Sequence, residues 1–134
     1  MSALEIVRVR DVMKRNVDRI DGMATVQEAI QAMKRENHKC LIVNKRHADD
    51  ELGILLLSDI ARHVLGKDRA PERVNVYEVM AKPVIKVDPE MDIRYCARLF
   101  KRFDISRAPV VDGGEIVGVV SFTDLVLRGI YKDV

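Results

Sequence analysis

Tryptophan is absent from this chain of 134 residues, which has only 2 cysteines and 3 histidines. Cys40 and Cys96 lie in apolar patterns without Cys-x-x-Cys spacing, and such cysteines are typical of small buried hydrophobic side chains. His38, His47 and His63 are spaced so that no two of them share one helical face for a metal ion. We therefore expect no metal site and no required cofactor.

Proline and glycine are also scarce, with 4 and 7 residues respectively. Hydrophobic residues make up 48% of the chain and charged residues 33%. This composition excludes collagen-like, disordered and low-complexity proteins. The length matches the prior of roughly 100–200 residues for one compact domain, so the sequence predicts a single buried core.

Neither sign of charge dominates, because 23 Lys and Arg face 21 Asp and Glu for a net charge of +2. Bulk charge therefore gives no indication of nucleic-acid binding. The longest apolar runs, such as residues 54–57, fall far short of the roughly 20 residues that cross a bilayer. The N-terminus also lacks the pattern of a secretory signal. We expect a cytoplasmic protein with no membrane or nucleic-acid partner.

Catalytic signatures are missing as well. The sequence has no Walker-type phosphate loop, no Gly-x-Gly-x-x-Gly turn and no His-Glu-x-x-His motif. It shows no convincing pair of nucleophile and base either. The sequence therefore predicts that the protein is not an enzyme.

What the sequence does contain is an internal repeat. The segment that starts at Asp11 matches the segment that starts at Glu78, and the match continues through two β-rich runs and a closing segment. The paired segments are Asp11-Val12-Met13 with Glu78-Val79-Met80, residues 39–43 with 107–111, and residues 53–60 with 118–125. Self-similarity of this kind predicts two units of roughly 55 residues. We assign repeat 1 to residues 8–66, a polar linker to 67–75 and repeat 2 to 76–131.

Each repeat is predicted to follow the order β-α-β-β-α. Apolar residues at helical spacing predict amphipathic helices over residues 25–37 and 93–103. Thr25, in a capping box with Glu28, and Asp92 are the predicted N-caps. We expect these two helices to supply the contact of a homodimer, because their apolar stripes exceed what one sheet needs. Closed twofold symmetry is also the commonest assembly.

The β-rich runs predict one hairpin in each repeat. A long polar loop over residues 44–51 joins the strands of repeat 1, and the tight turn Asp112-Gly113-Gly114 joins those of repeat 2. Ser58 and Thr123 are predicted to cap the closing helices. Those helices are expected over residues 59–65 and 124–130.

A unit of about 55 residues is marginal in surface-to-volume terms. We therefore expect the two repeats to pack sheet to sheet as a pseudo-twofold pair, with clefts between the copies. The fold class is α+β or α/β.

This pattern resembles a tandem pair of CBS domains, the cystathionine-β-synthase type repeat also known as the Bateman module, over about residues 8 to 131. The resemblance is carried by the openings Val12-Met13 and Val79-Met80, by the strand Ala108-Pro109-Val110-Val111, and by Gly118-Val119-Val120-Ser121-Phe122-Thr123-Asp124. It implies a regulatory module that senses adenine nucleotides and commonly pairs with a second copy into a flat disc of four repeats. It implies no catalysis.

Ser121 and Asp124 form the most informative motif. Their spacing places a hydroxyl at the end of a strand and a carboxylate in the first turn of the next helix. An ionised carboxylate accepts hydrogen bonds from both hydroxyls of a ribose, and a helix N-terminus favours phosphate. The resemblance implies the same roles, with Asp124 on ribose and Ser121 on phosphate or ribose. The alternative is that Thr123 and Asp124 merely begin a helix, where acidic residues are preferred.

Four more residues of repeat 2 enter the candidate site through the resemblance. It implies a basic phosphate contact at the position of Arg107, whose guanidinium suits bidentate binding of phosphate, although a solvated arginine is an equal alternative. It also implies that adenine packs near Val84 and Pro109, with backbone groups from Lys82 to Val84 contacting its edge. Plain core packing is the alternative, and for Pro109 it is the favoured one.

Repeat 1 departs from the pattern. Leu56 stands where repeat 2 has Ser121, although Asp59 matches Asp124. Lys39, next to His38, is a candidate phosphate contact, with solvation as the favoured alternative. We therefore expect weaker ligand binding in repeat 1.

The sequence leaves three candidate functions. We expect a stand-alone regulatory module that binds an adenosine-containing ligand such as AMP, ADP or ATP and signals through its dimer geometry or a protein partner. Any such switch requires different affinities for two states. The alternative is a ligand-free dimerisation or interaction scaffold, and an enzyme is the third candidate. S-adenosylmethionine, NAD and cyclic dinucleotides remain possible ligands, because all of them present adenine and ribose.

Overall fold

The computed structural model describes residues 6–82 and 84–130. The chain divides into two compact units. Residues 18–84 form the continuous unit, and residues 1–17 together with 85–134 form the interrupted unit. Each unit has its own buried cluster, so the expectation of one core was wrong. The mixed composition of helices and two sheets confirms the predicted fold class.

The elements follow one another along the chain in the order helix, strand, helix, strand, strand, helix, and then helix, strand, strand, helix. They are α1 (Val9–Val12), β1 (Arg19–Ile20), α2 (Val26–Glu36), β2 (Cys40–Val43), β3 (Gly53–Leu56), α3 (Leu57–Ile60), α4 (Ile93–Phe103), β4 (Arg107–Asp112), β5 (Glu115–Ser121) and α5 (Phe122–Leu125). π-helical turns extend α3 over Ala61–Leu65 and α5 over Val126–Ile130. Short 3-10 turns cover Pro71–Arg73 and Val76–Glu78.

In the continuous unit, the strands form a sheet in the order β1-β2-β3. β1 runs parallel to β2, and β2 pairs antiparallel with β3, with Cys40 opposite Leu56. Helix α2 begins at the predicted cap, where Thr25 Oγ1 accepts from the Glu28 N–H at 3.1 Å. The side chains that α2 buries in this unit are Val26, Ala29 and Met33.

The segment that opens repeat 2 completes the continuous unit. Val74, Val76 and Val79 are buried in its cluster. The chain then pairs with β3, because Ile54 and Ala81 exchange two N–H to O bonds of 3.0 and 2.9 Å. The core and the sheet of repeat 1 are therefore completed by residues from outside that repeat.

In the interrupted unit, β4 and β5 form an antiparallel hairpin. The predicted tight turn is present, since Gly113 and Gly114 have φ values of 57° and 84°, which glycine adopts without the steric cost of a side chain. The predicted first strand of repeat 2 is only a single parallel bridge between Val87 and Val110. Helix α4 starts at Asp92, whose side chain accepts from the Arg94 N–H as predicted.

The segment that opens repeat 1 belongs to the interrupted unit. Val9 and Val12 of α1 are fully buried in its cluster. Lys14 exchanges two N–H to O bonds of 2.9 Å with Val119 of β5. Each opening segment therefore packs in the unit that holds the other repeat's hairpin.

The closing helices begin earlier than predicted. The residues at their N-caps are Leu56 and Ser121, not Ser58 and Thr123. Ser58 and Thr123 lie inside the first helical turn, because the carboxylates of Asp59 and Asp124 accept the N–H groups of Leu56 and Ser121 and so fix the start.

The dimer contact predicted for the helices of residues 25–37 and 93–103 stays a prediction. Helices α2 and α4 bury part of their apolar stripes inside their own units, whereas Tyr95 and Phe103 of α4 are exposed. Further exposed apolar side chains lie on α5 and the turn that follows it: Phe122, Val126, Leu127 and Ile130.

Candidate functional site

Ser121 and Asp124 meet where β5 passes into α5. The N–H and the hydroxyl of Ser121 both donate to Asp124 Oδ2, each at 3.0 Å, and Ser121 Oγ accepts from the Asp124 N–H at 3.3 Å. Ser121 is 5% exposed and Asp124 is 2% exposed. The two residues form a capping box. Asp124 Oδ2 and Ser121 Oγ therefore serve the start of the helix.

The other carboxylate oxygen of Asp124, Oδ1, faces a cation. Lys14 Nζ lies 4.0 Å from it, and the Lys14 side chain is 67% exposed. At 4.0 Å the ammonium is beyond hydrogen-bond distance of Oδ1. The cap therefore fixes the carboxylate in place while Oδ1 keeps capacity to accept further hydrogen bonds.

Sequence reasoning missed Lys14. It belongs to the opening of repeat 1, whereas the rest of the site belongs to repeat 2, and alignment of the repeats places Ala81 at the equivalent position. Lys14 lies near Asp124 because the opening segment of repeat 1 packs in the unit that holds the hairpin of repeat 2. The basic pair Lys14-Arg15 directly after Val12-Met13 was the one available signal.

Arg107 and Thr123 lie at the same end of this hairpin. Arg107 is the first residue of β4, and it pairs directly with Ser121 across the hairpin. Its side chain is half-buried. Thr123 is exposed on α5. The structure therefore places Arg107, Ser121, Thr123 and Asp124 at the same end of the hairpin, and their role as one ligand site stays a prediction.

The equivalent end of repeat 1 lacks the hydroxyl group. Asp59 Oδ2 accepts from the Leu56 N–H at 2.9 Å, but Leu56 has no hydroxyl to complete the box. Lys39 is exposed, and its carbonyl accepts from the Leu57 N–H. His38 Nδ1 lies 2.7 Å from Asp18 Oδ2. The neighbouring histidine is thus held by a carboxylate of the protein itself.

The remaining candidates are distributed over both units. Lys82 and Val84 are half-buried in the continuous unit, and the Lys82 ammonium is 2.6 Å from Asp50 Oδ1. Pro109 is buried in β4 of the interrupted unit, where its carbonyl accepts from the Val87 N–H at 3.0 Å. The burial of Pro109 agrees with plain core packing.

The described residues hold neither a metal-binding cluster nor a membrane-spanning helix. Within residues 6–82 and 84–130, no three His, Cys, Asp or Glu side chains gather as a metal site would require. Over the same part of the chain, no helix has both the length and the apolar character of a membrane span.

Comparison with other proteins identifies the family. A family model of the CBS domain matches the chain twice, over residues 9–66 and 76–129. The CBS domain-containing protein YhcV of Bacillus subtilis is 29% identical over 120 residues, which are 90% of this chain and 84% of the relative. This protein and the present chain are therefore similar over nearly their full lengths.

Solved structures show the same fold. The hexameric CBS-CP12 protein from bloom-forming cyanobacteria is 37% identical with a TM-score of 0.91, over 95% of this chain and 73% of that one. The CBS domain pair of protein MJ0100, solved with 5′-methylthioadenosine and S-adenosyl-L-methionine, has a TM-score of 0.78 at 24% identity, over 90% of this chain and 94% of that one. At that identity the likeness concerns the fold alone. The resemblance inferred from the repeats is confirmed: this chain belongs to the CBS domain family and carries two copies of the domain.

Proposed function

We propose that this protein is a regulatory module that binds an adenosine-containing ligand at the end of the β4–β5 hairpin, through Asp124, Arg107 and Lys14. The observation that carries the proposal is their convergence with Ser121 in one place. Lys14 lies beside Asp124 and Arg107 lies opposite Ser121, so two cationic residues and one carboxylate occupy this end of the hairpin, a balance that favours an anionic ligand.

Each group has a defined task in this proposal. Asp124 Oδ1 accepts hydrogen bonds from the ribose hydroxyls, because Oδ2 is already bound by Ser121. Arg107 contacts phosphate with its planar guanidinium, and Lys14 adds a second positive charge. The adenine contacts expected at Lys82 and Val84 belong to the other unit and stay a prediction. AMP, ADP and ATP all carry a ribose and at least one phosphate group. A chain of the same fold has been solved with two adenosine-containing molecules.

The competing proposal is a scaffold that binds no ligand. It is favoured by the observation that Ser121 Oγ and Asp124 Oδ2 satisfy each other without one. In that case the same residues serve only the start of α5, and association with other chains is the whole function.

A thermal-shift assay separates the two proposals. A ligand present at 100 times its Kd stabilises the folded state by about 2.7 kcal/mol, which raises the melting temperature by several degrees. We expect this rise with AMP, ADP or ATP but not with inorganic phosphate. Arg107→Ala should reduce the rise, whereas Arg98→Ala, at an exposed arginine of α4, should leave it unchanged. No rise with any of the nucleotides would favour the scaffold.

We also propose that the module acts as a homodimer whose contact is the exposed apolar face after β5. Phe122, Val126 and Ile130 recur at intervals of four residues and therefore lie on one helical face, with Leu127 beside them. Leu127 is 70% exposed. Apolar patches of this kind mark interaction sites on soluble proteins.

A further inference from the structure

The continuous unit contains a pocket whose lining includes none of Asp124, Arg107 and Lys14. Its volume is about 270 Å³. Its lining comes from the loop after β1, the end of β2 and the segment after residue 76. Ligand pockets in proteins commonly measure about 300–1,000 Å³, so this one suits a single substituted ring.

One part of the pocket is apolar. Met23, Tyr77 and Met80 line it together with Val43. Met23 and Tyr77 are both more than half exposed, which means that their apolar surface is available to a ligand. Thioether sulfur atoms interact favourably with aromatic rings, and aromatic rings favour stacked or edge-on contacts with each other. This part of the pocket therefore suits a flat ring.

The other part of the pocket is charged, with Arg46 and Lys82 in its lining. Lys82 Nζ lies 2.6 Å from Asp50 Oδ1, and Arg46 Nε donates to Asp50 Oδ2 at 3.2 Å. The hydrogen bond from Lys82 is the largest reason why the pKa of Asp50 is well below its ordinary value. Asp50 is thus a firmly ionised group that holds both cations at the pocket wall.

Arg46 is in a position to bind a second anion. Its bond to Asp50 uses Nε, and 73% of its side chain is exposed. A guanidinium has five N–H donors in a planar fork, so its terminal nitrogens can bind a carboxylate or phosphate in bidentate fashion. Asp21 also lines the pocket, but its Oδ1 accepts from the Met23 N–H at 2.7 Å within its own loop.

We propose that this pocket binds a small planar anion, with its ring against Met23, Tyr77 and Met80 and its charged group on Arg46 and Lys82. The ligand class is an aromatic or heteroaromatic ring that carries a carboxylate or phosphate. The pocket lining shares Lys82 with the candidate nucleotide contacts but includes neither Lys39 nor Asp59. Val43 lies at the end of β2, whereas Lys39 precedes its start.

The test uses the full chain with ¹³C-labelled methionine methyl groups and phenyl phosphate as the probe. We expect saturable shifts of the Met23 and Met80 signals, with a Kd on the order of 1 mM for a ligand of this size. Met33, which is buried in the core of the same unit, should not shift. Phenol and inorganic phosphate, the two halves of the probe, should each bind far more weakly.

Matched variants identify the contacts. Arg46→Gln should weaken binding by about tenfold, the effect of losing one charged hydrogen bond, and Tyr77→Ala should weaken it as well. Arg62→Gln and Tyr95→Ala alter exposed residues outside the pocket and should leave binding unchanged. Asp124→Ala should also leave it unchanged, which separates this site from the nucleotide site.

Three results would overturn the proposal. The first is the absence of saturable shifts at Met23 and Met80. The second is equal binding by wild type, Arg46→Gln and Tyr77→Ala, and the third is loss of binding in Asp124→Ala. Because Arg46 and Tyr77 are both exposed, their replacement is not expected to unfold the chain.

Discussion

At the scale of single residues, the Ser121–Asp124 pair of repeat 2 and the equivalent Leu56–Asp59 pair of repeat 1 differ in one hydroxyl group. Ser121 completes a capping box with Asp124, whereas Leu56 offers Asp59 only a backbone N–H. The sequence showed this difference directly. It did not show that the hydroxyl and one carboxylate oxygen satisfy each other, because side-chain geometry decides that.

The capping box predicts a loss of stability in Ser121→Ala. The free energy of unfolding should fall by about 1 kcal/mol, the usual effect of losing an N-cap side chain. Ser58→Ala is the matched control, because Ser58 lies inside the helical turn and does not cap it. Its effect should stay within about 0.5 kcal/mol. Urea denaturation measures both values, and equal losses would contradict the assignment of Ser121 as the cap.

The buried thiol of Cys96 gives a prediction about pH. Burial raises the pKa of Cys96 to about 11, whereas an unfolded chain ionises its cysteines near about 8.5. The folded state therefore holds a proton that the unfolded state has lost, and its stability declines as pH rises through this window.

Comparison with Cys96→Ala isolates that contribution. The variant should be less stable than the wild type at neutral pH, because it leaves a cavity. The difference between the two free energies of unfolding should narrow as the pH rises from about 8.5 to about 11. A difference that stays constant over this range would show that Cys96 does not titrate as described.

At the scale of elements, the sequence predicted most of what periodicity and turn chemistry determine. The helices α2 and α4 begin at the predicted caps, and both hairpins are present. Two features were not predictable in this way. Self-similarity cannot show in which unit an opening segment packs, and Lys14 was missed for that reason. The starts of α3 and α5 depend on which of several neighbouring polar groups accepts the first N–H groups.

The exchange of opening segments predicts where the chain can be shortened. A chain that ends at Gly66 lacks Val74, Val76 and Val79, which are buried in the continuous unit, and it should be unfolded. Residues 18–84 contain the whole buried cluster and should show a cooperative melt. Circular dichroism and amide spectra of the two fragments test this. A dispersed spectrum and a cooperative melt for the monomeric chain that ends at Gly66 would contradict it.

At the scale of the whole molecule, the proposed dimer contact has a direct test. Leu127→Asp places a charge in the exposed apolar face after β5 and should convert the dimer to a monomer of 15.2 kDa. Met23→Asp alters another exposed apolar residue, outside that face, and should not change the mass. Light scattering over a range of concentrations gives the mass. A wild-type chain that remains at 15.2 kDa throughout would contradict the proposal.

The central claim is that repeat 2 carries the nucleotide site. Asp124→Ala and Asp59→Ala each remove a carboxylate that accepts the N–H at the start of a closing helix, so the second variant controls for loss of the helix start. Asp124 lies beside the Ser121 hydroxyl and the Lys14 ammonium, and Arg107 pairs with Ser121 across the hairpin.

Calorimetric titration of AMP into the wild type and these two variants tests the claim most directly, with circular dichroism to establish that each is folded. Loss of a charged hydrogen bond costs about 1.5–3 kcal/mol, so Asp124→Ala should weaken binding by about ten- to a hundredfold and Asp59→Ala by much less. Equal losses in the two variants, or binding that Asp124→Ala leaves intact, would contradict it.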